Sequence, residues 1–168
     1  MNDLVYDALR IRILKVFPAQ IRAAVAPLAE EQFWWRPNES TNSVGNIVIH
    51  LTGSINHFLN HNLGGLDYKR DRPAEFAERR HIPKAEVMSA FDAMIANAER
   101  TLDGLTPARL IDPSPEPKLN ANVFEDLLGI AVHLSNHAGQ LVWIAKMLQE
   151  GSMNDIWIRT HRSEGAWK

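Results

Sequence analysis

The chain contains no cysteine. That one absence removes disulfides, thiolate metal ligands and a cysteine nucleophile together, and nothing else points to an oxidising compartment. An excess of charge of one sign is also missing. The 18 Lys and Arg stand against 20 Asp and Glu and are scattered, which leaves no electrostatic footprint for nucleic acid or an anionic membrane. Long apolar runs are missing too: the longest, LLGIAVHL, falls far short of the roughly 20 residues a membrane helix needs. The start, MNDLVYDALRIRIL, lacks the basic region and unbroken apolar core of a secretory signal. A cytoplasmic protein with neither nucleic acid nor membrane as partner is the expectation. No segment alternates with a two-residue period and no repeat is visible, so a sheet is not expected.

What is present is helical periodicity, four times. Residues 3–29 carry Leu4, Leu9, Ile13, Leu14, Phe17, Ile21, Val25 and Leu28 at three- and four-residue spacing, with Pro18 as a kink or break. After the connector EEQFWWRPNES, whose Trp34 and Trp35 are expected to fold back over one end of the core, a second stripe runs from residue 42 or 43 to 63. It is closed by Gly64 and Gly65. A charged crossing, LDYKRDRPAEFAERRH, reads as solvated surface and leads to a third helix over 83–102. A proline-rich connector precedes the fourth, over 122–150, with Asn122 and Glu125 spaced as a capping box. Helices of this length with one apolar stripe each predict an all-α protein, a four-helix bundle over 1–150 with long loops between helices 1 and 2, 2 and 3, and 3 and 4. Residues 151–168 form a C-terminal tail in which Trp157, Ile158 and Trp167 stand among polar residues.

The chemistry lies in the histidines. HLSNHAGQ places His133 and His137 four residues apart, on one face of the fourth helix and one turn from each other. Ile130, Leu141 and Ile144 share that face, so the pair is expected to point inward. Unpaired imidazoles there each cost roughly 1 to 3 kcal/mol unless a partner satisfies them. The spacing is a recurrent divalent-metal clamp, but Leu134 occupies the position where a zinc protease needs glutamate, which excludes that chemistry. The second helix supplies a third ligand from NIVIHLTGSINHFLNH. His50 and His57 match the height of the pair equally well, so spacing leaves both open.

Three stretches, FWWRPNES, NSVGNIVIHLTGSINHFL and VHLSNHAGQLVWIAKML, together resemble the DinB-like superfamily of metalloenzymes, and within it a branch of uncharacterised bacterial proteins. The likeness runs from the first helix to the end of the fourth, and HxxxHxGQ is its most specific part. The chain departs from the branch at Ser54 and Asn56, where an asparagine is expected directly after Gly53. The resemblance implies an up-and-down four-helix bundle of mirror-image handedness and a divalent metal, zinc or nickel, on His50, His133 and His137. It also implies a homodimer. His57 then becomes a pocket or surface residue, and Asn46, Asn136 and Gln140 are candidates to orient the ligands or line the pocket.

Three neutral imidazoles leave coordination positions open. Such a centre acidifies a bound water for hydrolysis or activates an incoming thiol. The resemblance implies the second chemistry for some members, and with no cysteine in the chain the thiol must be a low-molecular-weight cosubstrate. A metal-dependent hydrolase or thiol S-transferase acting on a small molecule is therefore one expectation. A non-catalytic, dimerising helical stress or binding protein, with a structural metal or none, is the other. Glu125 and Asp126 read as first-turn residues favoured by the helix dipole rather than as general bases.

Overall fold

The computed structural model describes residues 2–79 and 82–149, and the tail over 151–168 lies outside them. The chain is all-helical, with no strand among the described residues. Helix α1 (Asn2–Ile11) passes through a π-helical turn (Arg12–Val16) into α2 (Phe17–Val25). Proline has no N–H and its ring clashes with the carbonyl four residues back. The wider turn ahead of Pro18 absorbs that clash, so the proline bends the register without breaking the helix. Pro27 then ends the stretch earlier than the apolar stripe suggests, and a short α3 (Glu30–Phe33) follows.

Helix α4 (Val44–Ile55) continues through a second π-helical turn (Asn56–His61) and stops at the two glycines. Gly65 sits at φ +72°, in the left-handed region that closes a helix, and its N–H donates to the His61 carbonyl at 2.9 Å. After α5 (Arg72–Ala77) come α6 (Lys84–Gly104), a 3₁₀ turn (Pro107–Ile111) and α7 (Val123–Leu148). Asn122 caps α7, its Oδ1 accepting from the Glu125 N–H at 3.0 Å.

Helix α2 packs along α7, and α4 packs against both α6 and α7. Phe33, Leu51, Phe91, Leu127 and Leu134 are fully buried where these helices meet. The buried apolar stripe of α7 is Val123, Leu127, Ile130, Ala131, Leu134, Ala138, Leu141 and Ala145. His133 and His137 flank that stripe and are half-buried, so they stand at the edge of the core rather than inside it. Trp34 is buried against α4 and donates its indole N–H to the Ile82 carbonyl at 3.0 Å. Gly45 makes that approach possible, since a Cβ there would lie 2.7 Å from the Trp34 ring.

The connector expected to be solvated surface differs from that expectation. The charged crossing after Gly65 contains α5, capped by Asp71, and it buries Glu75 and Glu78 instead of leaving them in solvent. The connector before α7 buries Ser114. No described helix is long and apolar enough to cross a membrane.

Candidate metal centre

His50 comes from the middle of α4, and His133 and His137 come from successive turns of α7. The helix contact brings the three rings into a nearly equilateral triangle, with centroids 5.0 Å apart for His50 and His133, 5.1 Å for His50 and His137, and 4.7 Å for His133 and His137. One nitrogen of each lies within 4.8 Å of the others.

The outward nitrogens are all engaged. His50 Nδ1 lies 2.8 Å from Glu75 Oε2, His137 Nδ1 lies 2.8 Å from Gln140 Oε1, and His133 Nδ1 lies 3.4 Å from Ser54 Oγ. A carboxylate and an amide oxygen only accept, so Nδ1 of His50 and of His137 carries the hydrogen and Nε2 keeps its lone pair. His50 Nε2 and His133 Nε2 face each other at 3.0 Å. If Ser54 donates to His133 Nδ1, that contact is a hydrogen bond from His133 Nε2–H to His50 Nε2; if Ser54 accepts, two lone pairs meet there and a cation between them relieves the repulsion. A tetrahedral zinc site places its nitrogens about 3.3 Å apart, given Zn–N bonds near 2.0 to 2.1 Å. The residues present fit a divalent ion, and Glu75 and Gln140 fix the tautomers of His50 and His137.

The electrostatics agree. Burial lowers the pKa of all three histidines, and His133 is pushed down to about 4 by burial first and then by neighbouring His137 and His50. For His50 burial outweighs the raising effect of Glu75. The His50–Glu75 contact is thus a hydrogen bond from a neutral imidazole to a carboxylate at neutral pH, not an ion pair. Neutral imidazole is the form that ligates a metal.

Glu75 is held from several sides. Arg70 pairs with it in a fork, Nε to Oε1 at 2.7 Å and Nη2 to Oε2 at 2.9 Å. Asn46 caps α4 together with Ser43 and also donates Nδ2 to the carbonyls of Glu75 and Glu78, at 3.2 and 3.3 Å. Asn46 thus anchors α5, and with it the partner of His50, without touching a ligand ring. Gly53 clears the space, because a Cβ there would lie 2.1 Å from Glu75 Oε1.

Among the other sequence candidates, Gln140 orients His137. Asn136 is exposed and stands outside the cluster. His57 turns away: the π-helical turn after Ile55 takes up an extra residue and rotates the following side chains off the His50 stripe. His57 Nε2 lies 3.6 Å from Glu116 Oε1, and its ring stacks on His61 at 6.0 Å. Ser54, one point of departure from the expected pattern, is the residue that meets His133. Glu75 and Arg70 escaped the sequence reading. The signal that marks them is Asp71 followed by Pro73, a helix-start pair inside an otherwise aperiodic charged stretch.

A family model described as a protein of unknown function, DUF1572, matches residues 6–162. The chain belongs to the DUF1572 family. DUF1572 is a DinB-like helical family, which agrees with the resemblance in the histidine-bearing segments and carries no activity with it. No curated protein and no solved structure matches the chain. What this DUF1572 chain offers toward function is the centre itself.

Beside the centre lies a cavity of about 400 Å³, lined by His50, His133, Ser54, Phe58, Arg70 and Asp126 among others. A small molecule entering it meets two of the three imidazoles directly.

Proposed function

We propose that this DUF1572 chain is a DinB-like four-helix bundle that holds a divalent metal ion, zinc or nickel, on His50, His133 and His137 and uses it to transform a small molecule. The observation that carries this reading is the convergence of three imidazoles, one nitrogen of each within 4.8 Å of the others, beside a cavity, with Nδ1 of His50 and of His137 held by outer acceptors. A purely structural site is closed by four protein ligands, whereas three histidines facing a cavity suit a catalytic one.

When bound, the ion supplies a Lewis-acidic centre that polarises or deprotonates whatever occupies its remaining positions. The protein's own groups do the rest. Glu75 keeps His50 in the Nδ1–H tautomer and, through its hydrogen bond, raises the donor strength of Nε2. Arg70 neutralises the buried Glu75 carboxylate and fixes its rotamer from the cavity wall. Gln140 does for His137 what Glu75 does for His50. Phe58 and Ile130 give the cavity wall apolar patches beside the polar Ser54, Arg70 and Arg72. Hydrolysis and transfer to a low-molecular-weight thiol are the two reactions this arrangement suits.

Elemental analysis tests the reading. After growth with zinc and nickel, the purified protein is expected to hold about one divalent ion per chain, and His137→Ala to lose it. A cobalt-substituted sample is expected to change its visible spectrum when a thiol or hydroxamate is added. Wild-type protein that takes up no divalent ion would remove the basis of the proposal.

A further inference from the structure

The cavity beside the centre carries a cation that the fold leaves unmatched. Arg72 lines it, and no carboxylate among the described residues forms an ion pair with its guanidinium. The guanidinium rests instead over the Phe76 ring, 5.1 Å from the centroid. Arg70, the other arginine of the lining, is already matched, since its Nε and Nη2 both hold Glu75. The acid of the lining, Asp126, turns into the protein. Its Oδ1 accepts from Ser114 Oγ at 2.9 Å and from Asn120 Nδ2 at 2.7 Å, and its Oδ2 is buried. Arg72 is therefore the charge that the cavity offers to a ligand.

Position gives that charge a role. Arg72 and Phe76 stand four apart on α5, so they share one face of the helix. Phe76 in turn lies against the His50 ring, with centroids 4.7 Å apart. Two ring contacts thus connect the guanidinium to the histidine cluster, and Phe76 sets the spacing between them. Arg72 is exposed, whereas His50 is buried and His133 half-buried. The cavity has imidazoles at its floor and a cation at its rim. A ligand that reaches from one to the other presents its reacting group to the histidines and its far end to the guanidinium. The planar fork of a guanidinium matches the two oxygens of a carboxylate.

We propose that the substrate is a small carboxylic acid and that Arg72 determines specificity by binding its carboxylate at the cavity rim. The volume of about 400 Å³ limits the acid to a small one. A divalent ion at the floor adds positive charge to the same cavity and favours an anion further. An ammonium end group meets repulsion there, and an uncharged one forgoes the charge-assisted bond. The assignment of the reacting end rests on the metal-centre reading; the assignment of the carboxylate end rests on Arg72 and its place beside Phe76.

Probes that differ only at the far end separate these claims: the monohydroxamates of succinic, adipic and suberic acid, each paired with the same compound bearing a carboxamide in place of the carboxylate. They are titrated calorimetrically into metal-loaded protein. At the chain length that spans the cavity, the carboxylate is expected to bind about five-fold more tightly or better, the worth of a well-aligned charge pair open to solvent. Raising the ionic strength is expected to narrow that preference. Arg72→Gln is expected to abolish it while metal content and carboxamide affinity stay unchanged; the side chain is exposed, and thermal melting checks that the variant folds as the wild type does. In His137→Ala all the probes are expected to weaken while the carboxylate keeps its advantage. Equal affinities of carboxylate and carboxamide at every length in the wild type overturn the proposal, and so does a preference that survives Arg72→Gln. Unchanged affinities in His137→Ala instead count against the metal centre and leave Arg72 standing.

Discussion

Glu75 Oε2 sits 2.8 Å from His50 Nδ1, and it reaches that place only because residue 53 has no side chain. A carboxylate from a connector thus sets the tautomer of a histidine on a neighbouring helix. The arrangement ties the sequence pair His50 and Gly53 to a partner more than twenty residues away, and it makes the pair open to direct test.

Gly53→Ala is expected to weaken divalent-metal affinity about 10- to 100-fold while His50, His133 and His137 all remain, because the new methyl displaces Glu75. Glu75→Gln is expected to weaken it within the same range, since the amide keeps a hydrogen bond but cannot pair with Arg70. Competition against a chelating dye measures both. Wild-type affinity in both variants would mean that the outer partner of His50 is dispensable.

Gln140 and Asn136 lie on either side of His137 in sequence, yet only Gln140 touches it. Gln140→Ala is expected to lower metal affinity about ten-fold or more, and Asn136→Ala to leave it unchanged. Parallel titrations with zinc distinguish the two. Equal effects would show that the contact between Gln140 and His137 does not hold in solution.

The chelator-stripped protein is expected to lose stability as pH falls from about 6.5 toward 4. His133 has a folded pKa near 4, below its ordinary value of 6.5, so the unfolded chain binds more protons across that interval and acid favours unfolding. His50 and His137 are shifted in the same direction and add to the slope. Urea midpoints at pH 7, 5.5 and 4.5 measure it, and His133→Gln is expected to flatten the curve. An identical slope in the variant would assign the acid sensitivity to other groups.

Gly45→Ala is expected to destabilise the fold by about 1 to 3 kcal/mol, because its methyl would overlap the buried Trp34 ring. Denaturation followed by tryptophan fluorescence reads the change in the midpoint. A midpoint equal to that of the wild type would show that Trp34 relaxes without loss.

How far the sequence reached follows from what each feature depends on. The long helical stretches were legible because the apolar stripes repeat with the helical period. Their ends were legible where turn chemistry is local, as at Gly65 and Asn122. His133 and His137 were legible as one clamp for the same reason, since helical spacing alone puts them one turn apart. Glu75 was not legible: it lies in a charged stretch without periodicity, and its burial follows from where α5 docks. Asp126 reads as an ordinary first-turn acid until Ser114 and Asn120 are seen to occupy one oxygen and leave the other bare.

The sequence by itself determined the helical class, the stripes that pack and the pairing of the two histidines on α7, because each depends on neighbours within a turn or two. The tertiary structure decided which histidine of the second helical stretch lies beside them. Height along the helices leaves His50 and His57 equivalent, and only the resemblance favours His50. The π-helical turn after Ile55 and the docking of α5 beneath Gly53 turn His57 toward Glu116 and give His50 its carboxylate. Those contacts join residues far apart in the chain, and no local period encodes them.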